Sequence, residues 1–181
     1  MQKKYIQPFD YANHIHQALK KGFLVTGKLG DQVNPMTISW GTLGVEWGME
    51  LFTVFVRENR FTKTVLDQNP AFTINIPYGE AADPKITAFC GRNSGRDVDK
   101  VKELGLTLVD PDVVNVPAIR ELPLTLECEV IYKQTQDPNA MPEEVLRRNY
   151  PQAVDSSFPG ANRDFHTAYY GRIVAAYIIE D

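Results

Sequence analysis

Residues 34–40 read Asn-Pro-Met-Thr-Ile-Ser-Trp, and this short run limits the fold more than any other part of the chain. Met36, Ile38 and Trp40 alternate with the small hydroxyl side chains of Thr37 and Ser39. A period of two belongs to a strand, whose side chains point to opposite faces in turn. Pro35 has no N–H to give to a neighbouring strand, which confines the segment to a sheet edge or to the first residues of a strand. An ordinary half-buried strand satisfies the same pattern. At an edge, though, main-chain N–H and C=O groups stay available to a ligand.

Other strand signals follow along the chain. Runs with β-branched and aromatic content predict strands over 23–29, 34–42, 50–56, 71–76, 124–134 and 167–179, with turns at Gly30 and Asp31 and over 44–48. Helical signals are fewer. Residues 10–21 read as a helix with Asp10 as N-cap, Ile15 and Leu19 on one face and Gly22 as its stop. A second covers 61–68 before Asn69 and Pro70, and short helices over 83–89 and 97–104 flank a loop at 91–95. Residues 113–119 read as extended. The stretch 137–165 carries Pro138, Pro142, Pro151 and Pro159 around a short helix at 143–148, and reads as a surface excursion, a lid or an interface arm. The expectation is a mainly β fold, a β-barrel with peripheral helices, built as one domain over 1–181 with an N-terminal helical arm at 1–21.

Composition narrows the partners. The chain is 43% hydrophobic and 23% charged, ordinary for a globular domain, and 181 residues suffice for a sizeable core. A net charge of −4 leaves no basic surplus for nucleic acid, so any anion site has to be local. No apolar run approaches the roughly 20 residues that span a bilayer. Lys3 and Lys4 are not followed by the apolar stretch of an export signal. Cys90 and Cys128 form no paired motif, so both are expected as buried thiols in a cytoplasmic protein.

Several familiar chemistries find no support. Gly22 to Leu29 nearly spells a phosphate-binding loop, but Leu29 stands where the hydroxyl should be, and the segment is better as strand. There is no GxGxxG, no HExxH and no nucleophile elbow. His14, His16 and His166 are too scattered to specify a metal, and none is expected.

Two segments suggest an anion site. Arg57, Arg60, Thr62 and Lys63 lie where a strand gives way to a helix. Solvated surface charges account for single arginines. Here, however, free N–H groups of a helix start and two guanidinium forks suit a phosphate together. Ser94, Gly95, Arg96 and Lys100 form a loop running into a capped helix, either a plain N-cap or a second polar wall. A planar, polar-edged ring along residues 36–40 and a phosphate on Arg57 and Arg60 describe a nucleotide-like cofactor, and flavin mononucleotide (FMN) fits best.

In order, these segments resemble the flavin reductase-like family with an FMN-binding split barrel, within it the flavoredoxin-like branch. The likeness is carried by residues 34–40, by Arg57, Arg60, Phe61 and Thr62, by Phe72-Thr-Ile-Asn-Ile-Pro77, by Ser94, Gly95, Arg96, Asp97 and Lys100, by Leu122-Pro-Leu-x-Leu-Glu-Cys128, and by His166 with Tyr169, Tyr170 and Gly171. The resemblance implies a Greek-key split β-barrel, a homodimer, and FMN held by Met36, Thr37, Ile38, Ser39 and Trp40 at its ring. Arg57, Arg60, Thr62 and Lys63 would hold its phosphate. Ser94, Gly95, Arg96 and Lys100 would close over it, with His166 near the ring or an incoming nicotinamide as the candidate catalytic residue. The implied activity is oxidoreduction, with electrons passing from NAD(P)H or a redox protein through FMN to an acceptor. A flavin-binding module for storage or sensing, and an oxidase of the pyridoxine-phosphate type, are the rivals. Arg172 departs from the family, whose members commonly carry an acidic residue after the glycine.

Overall fold

The computed structural model describes residues 1–79, 83–154 and 163–180. Pro159 and the middle of the expected excursion lie outside the described residues.

The main sheet is antiparallel throughout. Its strands are β1 (Gln2–Tyr5), β2 (Phe23–Leu29), β3 (Gln32–Ile38), β4 (Gly41–Glu46), β5 (Met49–Arg57), β6 (Ala71–Ile76), β9 (Leu124–Thr135) and β10 (His166–Glu180). Their spatial order is β3-β2-β6-β9-β10-β5-β4, with β1 also paired to β10. Two short strands, β7 (Leu108–Val109) and β8 (Ala118–Ile119), form a separate ladder. The result is the split barrel, with helices α1 (Ala12–Lys21), α2 (Phe61–Gln68), α3 (Pro84–Arg92), α4 (Lys100–Leu104) and α5 (Glu143–Asn149) around it.

β10 organises the barrel. Its first half pairs with β5, its last residues pair with β1, and β9 runs along most of its length. Register shifts after Tyr170 and after Ile173 bend it enough to serve both neighbours. β6 is buried along its whole length, and Phe23, Phe52, Phe72, Ile74 and Leu126 fill the interior between the sheet's faces. A buried polar ladder crosses this apolar core. Thr26 and Thr73 both donate to Asn75 Oδ1, and Thr73 and Asn75 are fully enclosed. Asn75 is therefore a satisfied core group that ties β2 to β6.

Several sequence expectations need correction. The strand expected over 34–42 stops at Ile38; the chain turns at Ser39 and Trp40 and starts the new strand β4. The turn expected over 44–48 is only Trp47 and Gly48, both with positive φ (52° and 72°), as a two-residue hairpin of matching twist requires. Asp10 does not cap α1. It sits in a 3-10 turn, Pro8–Tyr11, that precedes the helix. The helix expected over 97–104 starts only at Lys100, capped by Asp99, whose Oδ1 accepts from Lys102 N–H at 3.1 Å. Only Ala118–Ile119 of the extended segment is strand, because the N–H groups of Asp112, Val113 and Val114 are taken by the Glu127 carboxylate. Within the N-terminal arm, β1 precedes the helix. Arg172, the departure from the family pattern, pairs with Glu129 at 2.6 Å directly across the β10–β9 ladder, on the outer surface.

Candidate functional site

Three separate stretches of sequence meet at one end of β3. The β10–β5 register places His166 opposite Arg57. Arg57 ends β5, and three residues later Arg60 stands at the N-cap of α2 with extended backbone. α2 can lie close over β2 because residue 27 is glycine: a Cβ there would come within 2.7 Å of Val65 Cγ1. Met36, Thr37, Ile38, Ser39 and Trp40 complete the wall of a cleft of about 180 Å³ with Phe55, Arg57, Arg60 and His166.

A second lobe of about 270 Å³ adjoins it and shares Met36 and Arg60. Its walls include Asn34, Thr62, Ser94, Gly95, Arg96 and Lys100. Gly95 is buried here, and any Cβ on it would collide with Asn34 Oδ1 and approach the Phe61 ring to 2.9 Å. The glycine lets loop 94–97 close down on β3. Asn34 is 2% exposed, and its Oδ1 has no hydrogen-bond partner among the described residues. Covered by Gly95, this oxygen is an unpaired polar group within the wall of the lobe.

Most of the expected binding residues therefore converge, though their side chains serve different ends. Thr62 is buried, accepts from Asn34 Nδ2 at 2.9 Å and donates to Met36 Sδ at 3.2 Å, so its hydroxyl orders the wall. Thr37 donates to Thr87 O on α3 at 2.6 Å. Arg96 lies over the Phe61 ring and donates to Asn59 O. Lys100 is 3% exposed and donates to Pro35 O at 2.8 Å and Cys90 O at 3.2 Å, so it occupies part of the edge backbone expected to stay open. Burial pushes its ammonium down to about 8, against a smaller opposing effect of Cys90 and with Arg60 adding to the drop. Lys63 stands apart from both lobes: its ammonium is 2.8 Å from Asp67 and 3.6 Å from Glu58.

The electrostatics of the cleft are dominated by two close guanidiniums. Burial and the neighbouring Arg57 lower the Arg60 pKa, with Asp164 acting against them. Asp164 already lies 4.0 Å from Arg57, and a further negative charge would be favoured between the two guanidiniums. His166 is 6% exposed, and burial together with Arg57 pushes its imidazole down to about 4, Arg60 adding to the drop and Asp164 opposing it. It is neutral at pH 7. Trp40 lies against its ring, 4.8 Å between centroids and tilted by 35°.

The flavin reductase like domain family matches residues 20–181. The chain belongs to that family. Solved structures agree on the fold. Flavoredoxin from Methanosarcina acetivorans superposes with a TM-score of 0.65 at 23% identity, over 88% of this chain and 68% of that one. An FMN-binding protein from Thermus thermophilus with bound p-hydroxybenzaldehyde gives 0.61 at 22%, over 88% and 71%. The NADH:FAD oxidoreductase SgcE6 of Streptomyces globisporus C-1027, in complex with NAD and FAD fragments, gives 0.61 at 17%, over 97% and 87%. No described helix of this flavin reductase-like chain is long and apolar enough to cross a membrane.

Sequence reasoning did not find Asn34 as an unpaired buried acceptor, nor Phe55, Gln136 and Tyr150 around His166. The proline-rich spacing around Tyr150 marked an excursion but not where it returns.

Proposed function

We propose that this chain is an FMN-dependent oxidoreductase of the flavin reductase or flavoredoxin type, taking electrons from NAD(P)H or a redox protein and passing them to an acceptor. The observation that carries the reading is one cleft in which the paired Arg57 and Arg60, the end of β3 and a neutral His166 meet. Among the superposing structures, the FMN-binding protein supports FMN, and the NADH:FAD oxidoreductase supports a nicotinamide donor to a flavin.

In this reading Met36, Thr37, Ile38, Ser39 and Trp40 flank the flavin ring, largely through main-chain groups. Arg57 and Arg60 hold the phosphate, with the N–H of Thr62 in the first turn of α2 as a further donor, whereas the Lys63 N–H is already given to Arg60 O. Ser94, Gly95, Arg96 and Lys100 close the second lobe, whose wall also includes Asn34. The chemistry supplied when FMN is bound is acceptance of a hydride from reduced nicotinamide and onward passage of its electrons. The chain's own residues bind, orient and keep water away. At pH 7 His166 carries no charge, so it accepts hydrogen bonds or a proton rather than stabilising an anion.

The proposal includes a homodimer in a reducing cytoplasm. Trp47 (58% exposed) packs on Tyr132 (43%), which packs on Tyr170, and this aromatic surface suits a second copy. The test is an anaerobic visible spectrum of the purified protein before and after NADH or NADPH. Flavin absorption that bleaches supports the reductase and names the donor. Absorption that persists indicates a storage module or a carrier reduced by another protein. Failure to bind added FMN removes the proposal.

A further inference from the structure

The excursion after β9 returns to the cleft through a single side chain. Tyr150 follows α5, is 4% exposed and packs its ring on Phe165 and His166, at 4.8 and 5.7 Å between centroids. Its hydroxyl lies 2.7 Å from Gln136 Oε1 and 3.0 Å from His166 Nδ1. Gln136 Oε1 also accepts from the main-chain N–H of His166 at 3.2 Å.

These contacts fix every proton in the chain of hydrogen bonds. A backbone N–H only donates, so the Gln136 atom facing it is the oxygen. Tyr150 therefore gives its one hydroxyl proton to that oxygen and presents a lone pair to His166. Only a protonated Nδ1 satisfies that lone pair, and in a neutral imidazole this leaves Nε2 without a proton. Nε2 has no hydrogen-bond partner among the described residues, while the ring itself lines the cleft. With Trp40 against one ring face, the imidazole edge is what a ligand meets.

We propose that Gln136 and Tyr150 are positioning residues that hold His166 as its Nδ1–H tautomer, so that Nε2 recognises a ligand bearing an N–H donor. The ligand half of this rests on the flavin reading above; the tautomer half does not. Two sources supply such a donor: the primary carboxamide of a nicotinamide, or an N–H of the flavin ring. The low proton affinity of His166 agrees, since a charged ring would donate from both nitrogens. The excursion thereby acquires a role in the site rather than beside it.

Nitrogen NMR of flavin-free protein labelled in its histidine rings reads the tautomer directly, and the chain has only three histidines to assign. At neutral pH His166 is expected with Nδ1 in the protonated range and Nε2 in the unprotonated range. Tyr150→Phe and Gln136→Leu should shift it toward the Nε2–H form, and Gln136→Glu, which keeps an acceptor for the tyrosine, should retain the wild-type signature. An Nε2–H signature in the wild type overturns the proposal, as does an unchanged tautomer in folded Tyr150→Phe or Gln136→Leu. If Tyr150→Phe fails to fold, the wild-type signature and the two Gln136 variants decide.

The donor is identified with loaded protein. The reduced dinucleotide whose carboxamide NH₂ is replaced by methyl should half-saturate flavin bleaching at about tenfold higher concentration than NADH, roughly 1.4 kcal/mol, and Tyr150→Phe should abolish that preference. If instead FMN affinity falls about fivefold in Tyr150→Phe while the two dinucleotides stay equal, the flavin is the donor. No change in either, with the tautomer as expected, overturns the ligand half. Protein that binds no flavin ends the functional reading and leaves the NMR result standing.

Discussion

Arg60 carries the most specific expectation for a single side chain. Its guanidinium is partly desolvated beside Arg57, an arrangement that costs stability and that Asp164 offsets only in part. Charge-assisted hydrogen bonds to phosphate contribute about 1.5–3 kcal/mol each. Arg60→Ala should therefore weaken FMN binding by roughly 10- to 100-fold, measured by fluorescence titration, while the variant's unfolding free energy stays level or rises. An unchanged dissociation constant removes Arg60 from the site. Residue chemistry of this kind was legible in the sequence, because Arg57 and Arg60 stand at a strand-to-helix change that local patterning reveals. What Thr62, Thr37 and Lys100 do was not legible. Their partners, Asn34, Thr87 and Pro35, come from elsewhere in the chain, and only the fold decides whether a hydroxyl or ammonium faces a ligand or a carbonyl.

Among the elements, Glu127 on β9 shows how one buried carboxylate can replace a strand. It is fully enclosed, accepts from the N–H groups of Asp112, Val113 and Val114 at 2.7–3.0 Å, and accepts from the Tyr177 hydroxyl at 2.9 Å. The segment between β7 and β8 thus satisfies its main chain without a ladder. Glu127→Ala would strand three amide donors and one hydroxyl, and should cost about 3–5 kcal/mol. Denaturant unfolding should show a clearly lower midpoint, whereas FMN affinity of the folded fraction should hold, because the carboxylate is remote from the cleft. A loss below about 1 kcal/mol would mean that water replaces it freely. The same residue explains why sequence patterning failed here. The apolar content of 113–119 reads as strand, and nothing local announces an acceptor from residue 127. Long, strongly patterned elements such as β2, β6, β9, β10 and α2 were recovered nearly to their ends. β4 was lost because Ser39 and Trp40 continue the alternation straight through the point where the chain turns, and β1 because Gln2, Lys3 and Lys4 show no apolar face.

The stability of the whole molecule should carry the imprint of the cleft through pH. His166 has a proton affinity near pH 4 in the folded chain and near the ordinary 6.5 once unfolded. Between those values the unfolded chain binds more protons than the folded one, so stability falls as pH drops from about 6.5 to about 4 and levels off below. Two other groups act in different windows. The Asp67 carboxyl is held down to about 2 by Lys133, Lys63 and Tyr169 against the opposing effect of burial, so its contribution is lost only below the ordinary carboxylate range. Lys100, with its folded value of about 8, adds stability as pH rises from there toward 10.5. The acid window therefore has His166 as its main source among these three. Discounted for the part of the ring that solvent still screens, the loss should be about 2 kcal/mol. His166→Gln, which stays neutral, should flatten that part of the profile in urea unfolding at pH 4 to 7. Bound FMN should deepen the wild-type slope if it lies against the imidazole, since a cofactor that excludes water raises the cost of charging the ring. Equal slopes in wild type and variant would show that His166 is solvated in the native protein and leave the cleft without its neutral acceptor.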